Sequence, residues 1–373
     1  MALKAVHVSD VPSLDQVTEN AASLLRSPTL SKRVDAVRVV GESRKFEVIG
    51  HRGSGMNILH SPDRRMKAIR ENTVRSFNAA ATFPVDFVEF DVQVTKDDCP
   101  VIFHDNFILT KQNETMCEKR LTELTLSEFL TYGPQKDSQE MGKSLVRKSK
   151  DGRIFEWDVA EDDTLCTLQE AFEKVDPSLG FNIELKFDDN VVYPEQELTH
   201  VLQAILKVVS EYAKDRPIIF SSFQPDAVRI IKKLQDTYPV FFLTNGGNEI
   251  YTDVRRNSVE DAIEWCLECG LQGIVSEVKG IFRNPSLISK IKESNLSLMT
   301  YGQLNNVPEA VYMQHLIGVD GVIVDFVREI TEAVSDFIEP REQKLVEDGI
   351  KNPKFSQLEL SFLLKLIPEL IRH

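Results

Sequence analysis

Phe87-Val88-Glu89-Phe90-Asp91, Val48-Ile49-Gly50-His51-Arg52-Gly53 and Phe181-Asn182-Ile183-Glu184-Leu185-Lys186 are built alike. In each, a strand-length apolar run stops at residues able to do acid, base or metal chemistry. Val101-Ile102-Phe103-His104-Asp105 repeats the pattern close behind Asp91. Apolar runs that end in charge are what a parallel barrel gives when its reactive groups sit at the carboxyl ends of its strands. The expected fold is therefore an α/β TIM (β/α)8 barrel.

Outward from these segments the alternation continues. Strands are read at Pro217 to Phe223, Val240 to Thr244, Gly273 to Ser276, Leu298 to Tyr301 and Gly321 to Asp325. Helical patterns lie between them, as at Asn72-Thr73 into Phe77 to Ala81, Asp226 to Leu234, and Pro308 to Leu316. Repeated strand-then-helix units point to a parallel sheet. There is one strand candidate more than the eight staves of a barrel. Only Thr95 to Pro100 separates Val94 from Val101, too short for a parallel crossover, so these two strands are expected to form a hairpin. One of the pair is then an extension of the rim, and the hairpin folds His104 back toward Glu89 and Asp91.

The chain has 373 residues, more than the ~250 typical of such a barrel, so one domain with insertions is expected. The barrel is assigned to 46–335, with an insertion over about 106–180. A polar extension at 1–45 precedes it, and an extension with a terminal helix at Phe355 to Ile371 occupies 336–373. Within the insertion, Leu124 to Leu130 reads as a helix with Thr125 as its cap. The polar stretch Pro134 to Asp163 carries Lys143, Arg147, Lys148, Lys150 and Arg153. It reads first as a solvated loop, and alternatively as a small subdomain over the barrel mouth that screens or attracts substrate.

A net charge of −14 with no basic stripe argues against a nucleic-acid partner. An acidic protein that takes an anionic substrate must invert its field locally, and a divalent cation is the simplest device. No apolar run approaches the ~18 residues of a membrane span. The five scattered cysteines read as free thiols in a reducing compartment, and Cys266-Leu267-Glu268-Cys269 has no second pair to complete a zinc site. Ser, Arg and Lys in Ala21 to Val40 resemble an organelle transit segment, diluted by Asp10, Asp15, Glu19 and Asp35. Nothing in the chain assigns an oligomeric state.

Glu89 and Asp91 stand at i and i+2 on one strand, so both side chains share a face, and such a pair calls for a cation or a proton. Glu184 supplies a third oxygen. Three carboxylates suit Mg2+ or Ca2+ better than Zn2+. The structural alternative is an ion pair of Glu89 with Lys186 or Arg52. His51 and His104 are candidates for general acid and base, because histidine titrates near neutral pH; alone, each would read as a core histidine. Arg52 can grip phosphate oxygens through two N–H groups and Lys186 adds a point charge. Glu71 is either a further metal or hydroxyl contact, or a charge favourable at the start of the helix from Asn72. The set fits metal-assisted hydrolysis of a phosphodiester.

His51-Arg52-Gly53, Glu71-Asn72-Thr73, Glu89 through Asp97, His104-Asp105 and Glu184-Leu185-Lys186, in that order, resemble the motif series of the glycerophosphodiester phosphodiesterase family. The resemblance runs through most of 46–328, including Ser221-Ser222-Phe223 and the Val324-Asp325 ending. It implies a TIM barrel that hydrolyses glycerophosphodiesters such as glycerophosphocholine or glycerophosphoethanolamine to an alcohol and glycerol 3-phosphate, with a divalent cation. The nucleophile is water or the glycerol 2-hydroxyl. A lysophospholipase D-type activity at the same site and a noncatalytic ligand-binding barrel are the rival functions. The tail and the Lys279 to Pro285 segment are similar to the plant branch, which implies a chloroplast location, with the cytoplasm as alternative. Asp98 stands where the family has Gly in the hairpin; Asp tolerates left-handed geometry, so the turn is expected to survive.

Overall fold

The apolar run before His51 forms strand β1 (Glu47–Gly50) of a computed structural model that describes residues 45–337, apart from 113–114, 137–141, 150 and 190. The N-terminal extension through residue 44 and the terminal helix read at Phe355 to Ile371 lie outside the described residues. In chain order β1 is followed by β2 (Phe87–Val94), β3 (Pro100–Ile102), β4 (Phe107–Gln112), β5 (Thr115–Arg120), β6 (Val146–Lys148) and β7 (Ile154–Glu156). Then come β8 (Gly180–Leu185), β9 (Ile218–Ser222), β10 (Val240–Thr244), β11 (Gly273–Glu277), β12 (Ser297–Tyr301) and β13 (Gly321–Val324).

Strands β1, β2 and β8 through β13 pair in parallel around a closed ring, with β1 joined to β13 on one side and β2 on the other. This is the expected TIM barrel. Alternation along each strand separates two cores. Ile49, Ile219, Phe241, Leu243, Val275, Met299 and Ile323 fill the interior of the ring, while Val48, Val88 and Phe90 pack outward against helices. Phe90 and Phe181 meet edge to face at 4.9 Å. Burying each such ring contributes roughly 1.5–3 kcal/mol.

The helices begin where the sequence offers a cap. Thr73 accepts from Ser76 N before helix Val74–Ala80, and Pro225 and Pro308 open Pro225–Leu234 and Pro308–Ile317. No helix among the described residues is long and apolar enough to cross a membrane. The five cysteines are free, and Cys266 and Cys269 lie on one helix, Val259–Cys269.

The surplus strand is β3. It runs antiparallel to β2, with Val94 opposite Pro100 and Val92 opposite Ile102, and Asp98 takes the left-handed turn position at φ 60°. Beyond it, β4 to β7 make a separate antiparallel sheet in the order β5-β4-β6-β7. Thr125 and Glu128 form a reciprocal capping box on the short helix Leu126–Phe129. The solvated-loop reading of Pro134 to Asp163 is therefore corrected, since β6 and β7 lie within it. Three-residue strands are too short to show a period in sequence. Val146 of β6 is buried, and Leu145 just before β6 and Trp157 just after β7 share a core with Phe103 and Phe129.

Candidate active site

The first reactive segment is a tight turn at the end of β1. Arg52 has φ 49° and Gly53 φ 94°, and a Cβ at Gly50 would lie 2.1 Å from the Gly53 carbonyl oxygen. A left-handed arginine costs about 1–2 kcal/mol. Its backbone is held on both sides: Arg52 N donates to Glu89 Oε2 at 3.0 Å, and its carbonyl accepts from Asn72 N at 3.0 Å and Ser76 Oγ at 3.1 Å. The strained turn thus sets His51 and Arg52 against the carboxylates of β2.

Glu89 and Asp91 project from one face of β2, and Asp91 stands in register with Glu184 on β8. Ligand atoms of Glu89, Asp91 and Glu184 all lie within 4.8 Å of one another. This is the one group of its kind among the described residues. Burial, followed by the neighbouring charge of Asp91, holds the Glu89 carboxyl well above the ordinary range, and Glu184 is raised mainly by burial. For Asp91, burial is outweighed by His104, Arg52 and Lys186, which hold it low. Crowded oxygens, one of which favours a proton, are a donor set that fits a hard divalent cation.

The cations lie among these groups. Lys186 Nζ is 2.9 Å from Glu184 and 3.6 Å from Asp91; Arg52 Nη1 donates to Glu71 Oε1 at 2.8 Å. Arg52 Nε, 3.5 Å from Asp91, is buried and makes no hydrogen bond among the described residues. Glu71 also accepts from Asn57 N and from Arg147 Nη2, and despite burial its pKa falls to about 2. Asn72, left-handed at φ 57°, donates to Asp91 Oδ2 at 2.8 Å.

Both histidines are anchored through Nδ1. His51 meets Asp325 Oδ1 at 2.7 Å, leaving Nε2 3.9 Å from Glu89. Among the described residues Asp325 otherwise accepts only from uncharged donors, Met56 N and Asn306 Nδ2, so its charge is left to His51. Burial disfavours the imidazolium, yet Asp325 offsets this and His51 is raised. His104 meets Asp105 Oδ1 at 2.7 Å, but Asp105 is shared with Arg147. Burial and then Arg52 and Lys186 push His104 down to about 4.

His51, Arg52, Glu71, Glu89, Asp91, His104, Glu184 and Lys186 thus come together at the carboxyl ends of the first staves. The sequence reading did not place three further members. Asp325 ends its own apolar run, a signal that was available. Arg147 and Trp157, stacked with the guanidinium carbon 3.9 Å from the ring, come from the polar stretch of the insertion and have no local signature.

Residues 51–329 match the model of the glycerophosphoryl diester phosphodiesterase family. The chain is 61% identical over its full length to the chloroplastic glycerophosphodiester phosphodiesterase GDPD1 of Arabidopsis thaliana, and 59% identical over its full length to GDPD2 of that plant. Both relatives are covered entirely. A solved structure from Silicibacter pomeroyi, described as a putative glycerophosphoryl diester phosphodiesterase, is 20% identical with a TM-score of 0.60 over 82% of this chain and 97% of that one, a likeness of fold.

Proposed function

This chain belongs to the glycerophosphodiester phosphodiesterase family, and from that premise we propose that it hydrolyses glycerophosphodiesters, among them glycerophosphocholine and glycerophosphoethanolamine, to sn-glycerol 3-phosphate and an alcohol. The observation that carries this reading is the convergence of Glu89, Asp91 and Glu184 within 4.8 Å, beside two carboxylate-anchored histidines. Glu89, Asp91 and Glu184 would hold Mg2+ or Ca2+, which when bound supplies positive charge to the phosphoryl oxygens.

The remaining work falls to side chains of this protein. Arg52 and Lys186 neutralise charge that develops on the phosphate, and Arg52 Nε is a buried donor without an acceptor among the described residues. With Nδ1 committed to Asp105, His104 offers Nε2 as the base that takes the proton of the nucleophile, either water or the glycerol 2-hydroxyl; in the second case the cyclic phosphate that forms is then opened by water to glycerol 3-phosphate. His51 gives a proton to the leaving alkoxide as the phosphorus–oxygen bond breaks, since the undivided charge of Asp325 favours its protonated form. Glu71 acts through the arginine it holds.

The deciding experiment is release of glycerol 3-phosphate from glycerophosphocholine, with Mg2+ or Ca2+ and with excess EDTA. Metal-dependent release is expected. Silence with either metal overturns the activity, and undiminished turnover in EDTA overturns the role of the carboxylates. Preferred turnover of lysophosphatidylcholine reassigns the substrate to lysolipids. The chloroplast location of Arabidopsis GDPD1 is carried over on the same terms, and a fluorescent fusion of the full chain that stays in the cytoplasm removes it.

A further inference from the structure

Arg147 belongs to β6 of the insertion sheet, yet its guanidinium lies inside the hydrogen-bond network of the barrel mouth. Nε donates to Asp105 Oδ2 at 2.9 Å. Nη2 donates to Glu71 Oε1 at 2.7 Å and lies 3.2 Å from Asp105 Oδ1; Nη1 donates to the Asn57 carbonyl at 3.1 Å. Trp157 packs under the guanidinium and itself donates through Nε1 to Asn57 Oδ1 at 2.9 Å. The arginine side chain is only 14% exposed.

The two carboxylates it grips are each committed to a reactive residue through an oxygen that Arg147 also contacts. Asp105 Oδ1 meets His104 Nδ1, and Glu71 Oε1 meets Arg52 Nη1. We infer that Arg147 is a positioning residue for the reaction: by holding Asp105 and Glu71 together it fixes His104 on one side of the site and Arg52 on the other. The insertion then completes the active site. This rests on the roles proposed for His104 and Arg52.

The chemistry requires an arginine. A planar guanidinium with five N–H donors can serve two carboxylates and a carbonyl at fixed angles, whereas an ammonium is a point charge on a flexible stem. Trp157 sets the plane from below. Without the fork, Asp105 keeps its bond to His104 but loses what fixes its own rotamer, and misplacement of a reactive group by 1 Å can cost about 10^2-fold in rate. The effect is on alignment during turnover, so it belongs in kcat.

The test measures glycerophosphocholine turnover and thermal melting for Arg147→Met, Arg147→Lys and Asp105→Asn. Arg147→Met should lower kcat by about 10- to 10^2-fold with KM within about 3-fold, while still melting cooperatively. Arg147→Lys should recover little of the loss, because charge without the fork does not align the carboxylates. The Arg147→Met/Asp105→Asn double variant should lose scarcely more than the worse single one, since the two act as a unit. Wild-type kcat in folded Arg147→Met, a change confined to KM, or additive losses overturns the inference. Should Arg147→Met fail to fold, Asp105→Asn, which keeps the shape, decides: unchanged kcat there overturns it equally. Full activity in His104→Ala would instead remove the proposed role of that histidine, so the two failures are told apart.

Discussion

His51 Nδ1 lies 2.7 Å from Asp325 Oδ1, although the two residues stand 274 positions apart. Parallel pairing of β1 with β13 brings the ends of the first and last staves side by side, Gly50 against Val324, and each residue continues its strand by one position. The ring closure of the fold therefore assembles a carboxylate-histidine pair.

Asp325→Asn tests that pair. The amide keeps the shape but removes the charge that sets the histidine's tautomer and supports its protonated form. We expect kcat to fall by at least ~10^2, with a smaller effect on KM. Steady-state kinetics check this; a variant with wild-type kcat would detach Asp325 from the mechanism.

His51→Ala and His104→Ala should each cost at least ~10^2 in kcat without unfolding the barrel. Groups that act as a unit are non-additive, so the double variant should lose much less than the product of the two. Rates for all three, alongside melting curves, decide the matter.

Glu89 makes stability depend on pH. Burial, then the charge of Asp91, raises its carboxyl to about 8, so between the ordinary glutamate value of 4.5 and about 8 the folded chain holds a proton that the unfolded chain has released. Stability must then fall as pH rises through this window. His51, held up by Asp325 against the effect of burial, has the same sign. His104, pushed down to about 4, has the opposite sign, but its contribution is complete near the ordinary histidine value of 6.5. Metal-free protein should lose melting temperature from about pH 6.5 to 8. Mg2+ or Ca2+ should raise it in a concentration-dependent way, most strongly at the upper end, where no proton has to be displaced. Melting temperatures that stay flat in metal-free buffer and ignore both ions would contradict a shared cation cluster.

Removing 134–163 should leave no soluble native enzyme. It deletes Leu145 and Trp157 from the core around Phe103 and Phe129, and losing each large buried side chain costs about 2–5 kcal/mol against a typical total of about 5–15. By contrast, Arg153→Ala, at an exposed site, should leave kcat unchanged and stability within about 0.5 kcal/mol. Expression yield and melting curves separate the two outcomes, and a soluble, cooperative deletion variant would show the segment to be dispensable.

The barrel was legible because its evidence is local. Phe87 to Val94 reads as a strand from its own side chains, Thr95 to Pro100 is short enough to force a hairpin, and Thr73 announces the helix after it. Glu89 and Asp91 could be paired from their spacing alone. Arg147 could not, since its partners Glu71 and Asp105 lie 76 and 42 positions away and its neighbours Lys148 and Ser149 are those of an ordinary polar surface. Contacts made across such distances leave no period and no spacing. The same reason hid β6 and β7, three-residue runs of which only Val146 is buried.

The short seam between β1 and β2 links shape to chemistry. These staves meet only at Ile49 with Phe87 and Gly50 with Val88, whereas β2 and β8 stay in register from Phe87 with Gly180 through Val92 with Leu185. Just past the seam, Arg52 N is latched to Glu89 Oε2. A carboxylate assigned to the cation is thus also the rivet of the ring. Replacing Glu89 with alanine removes the rivet along with the ligand, so amides of Glu47 to Gly50 would exchange with solvent sooner, as in any locally loosened segment. Glutamine keeps an oxygen for the latch. Inactivity in the two variants therefore has different physical origins, and only the glutamine form isolates the loss of charge.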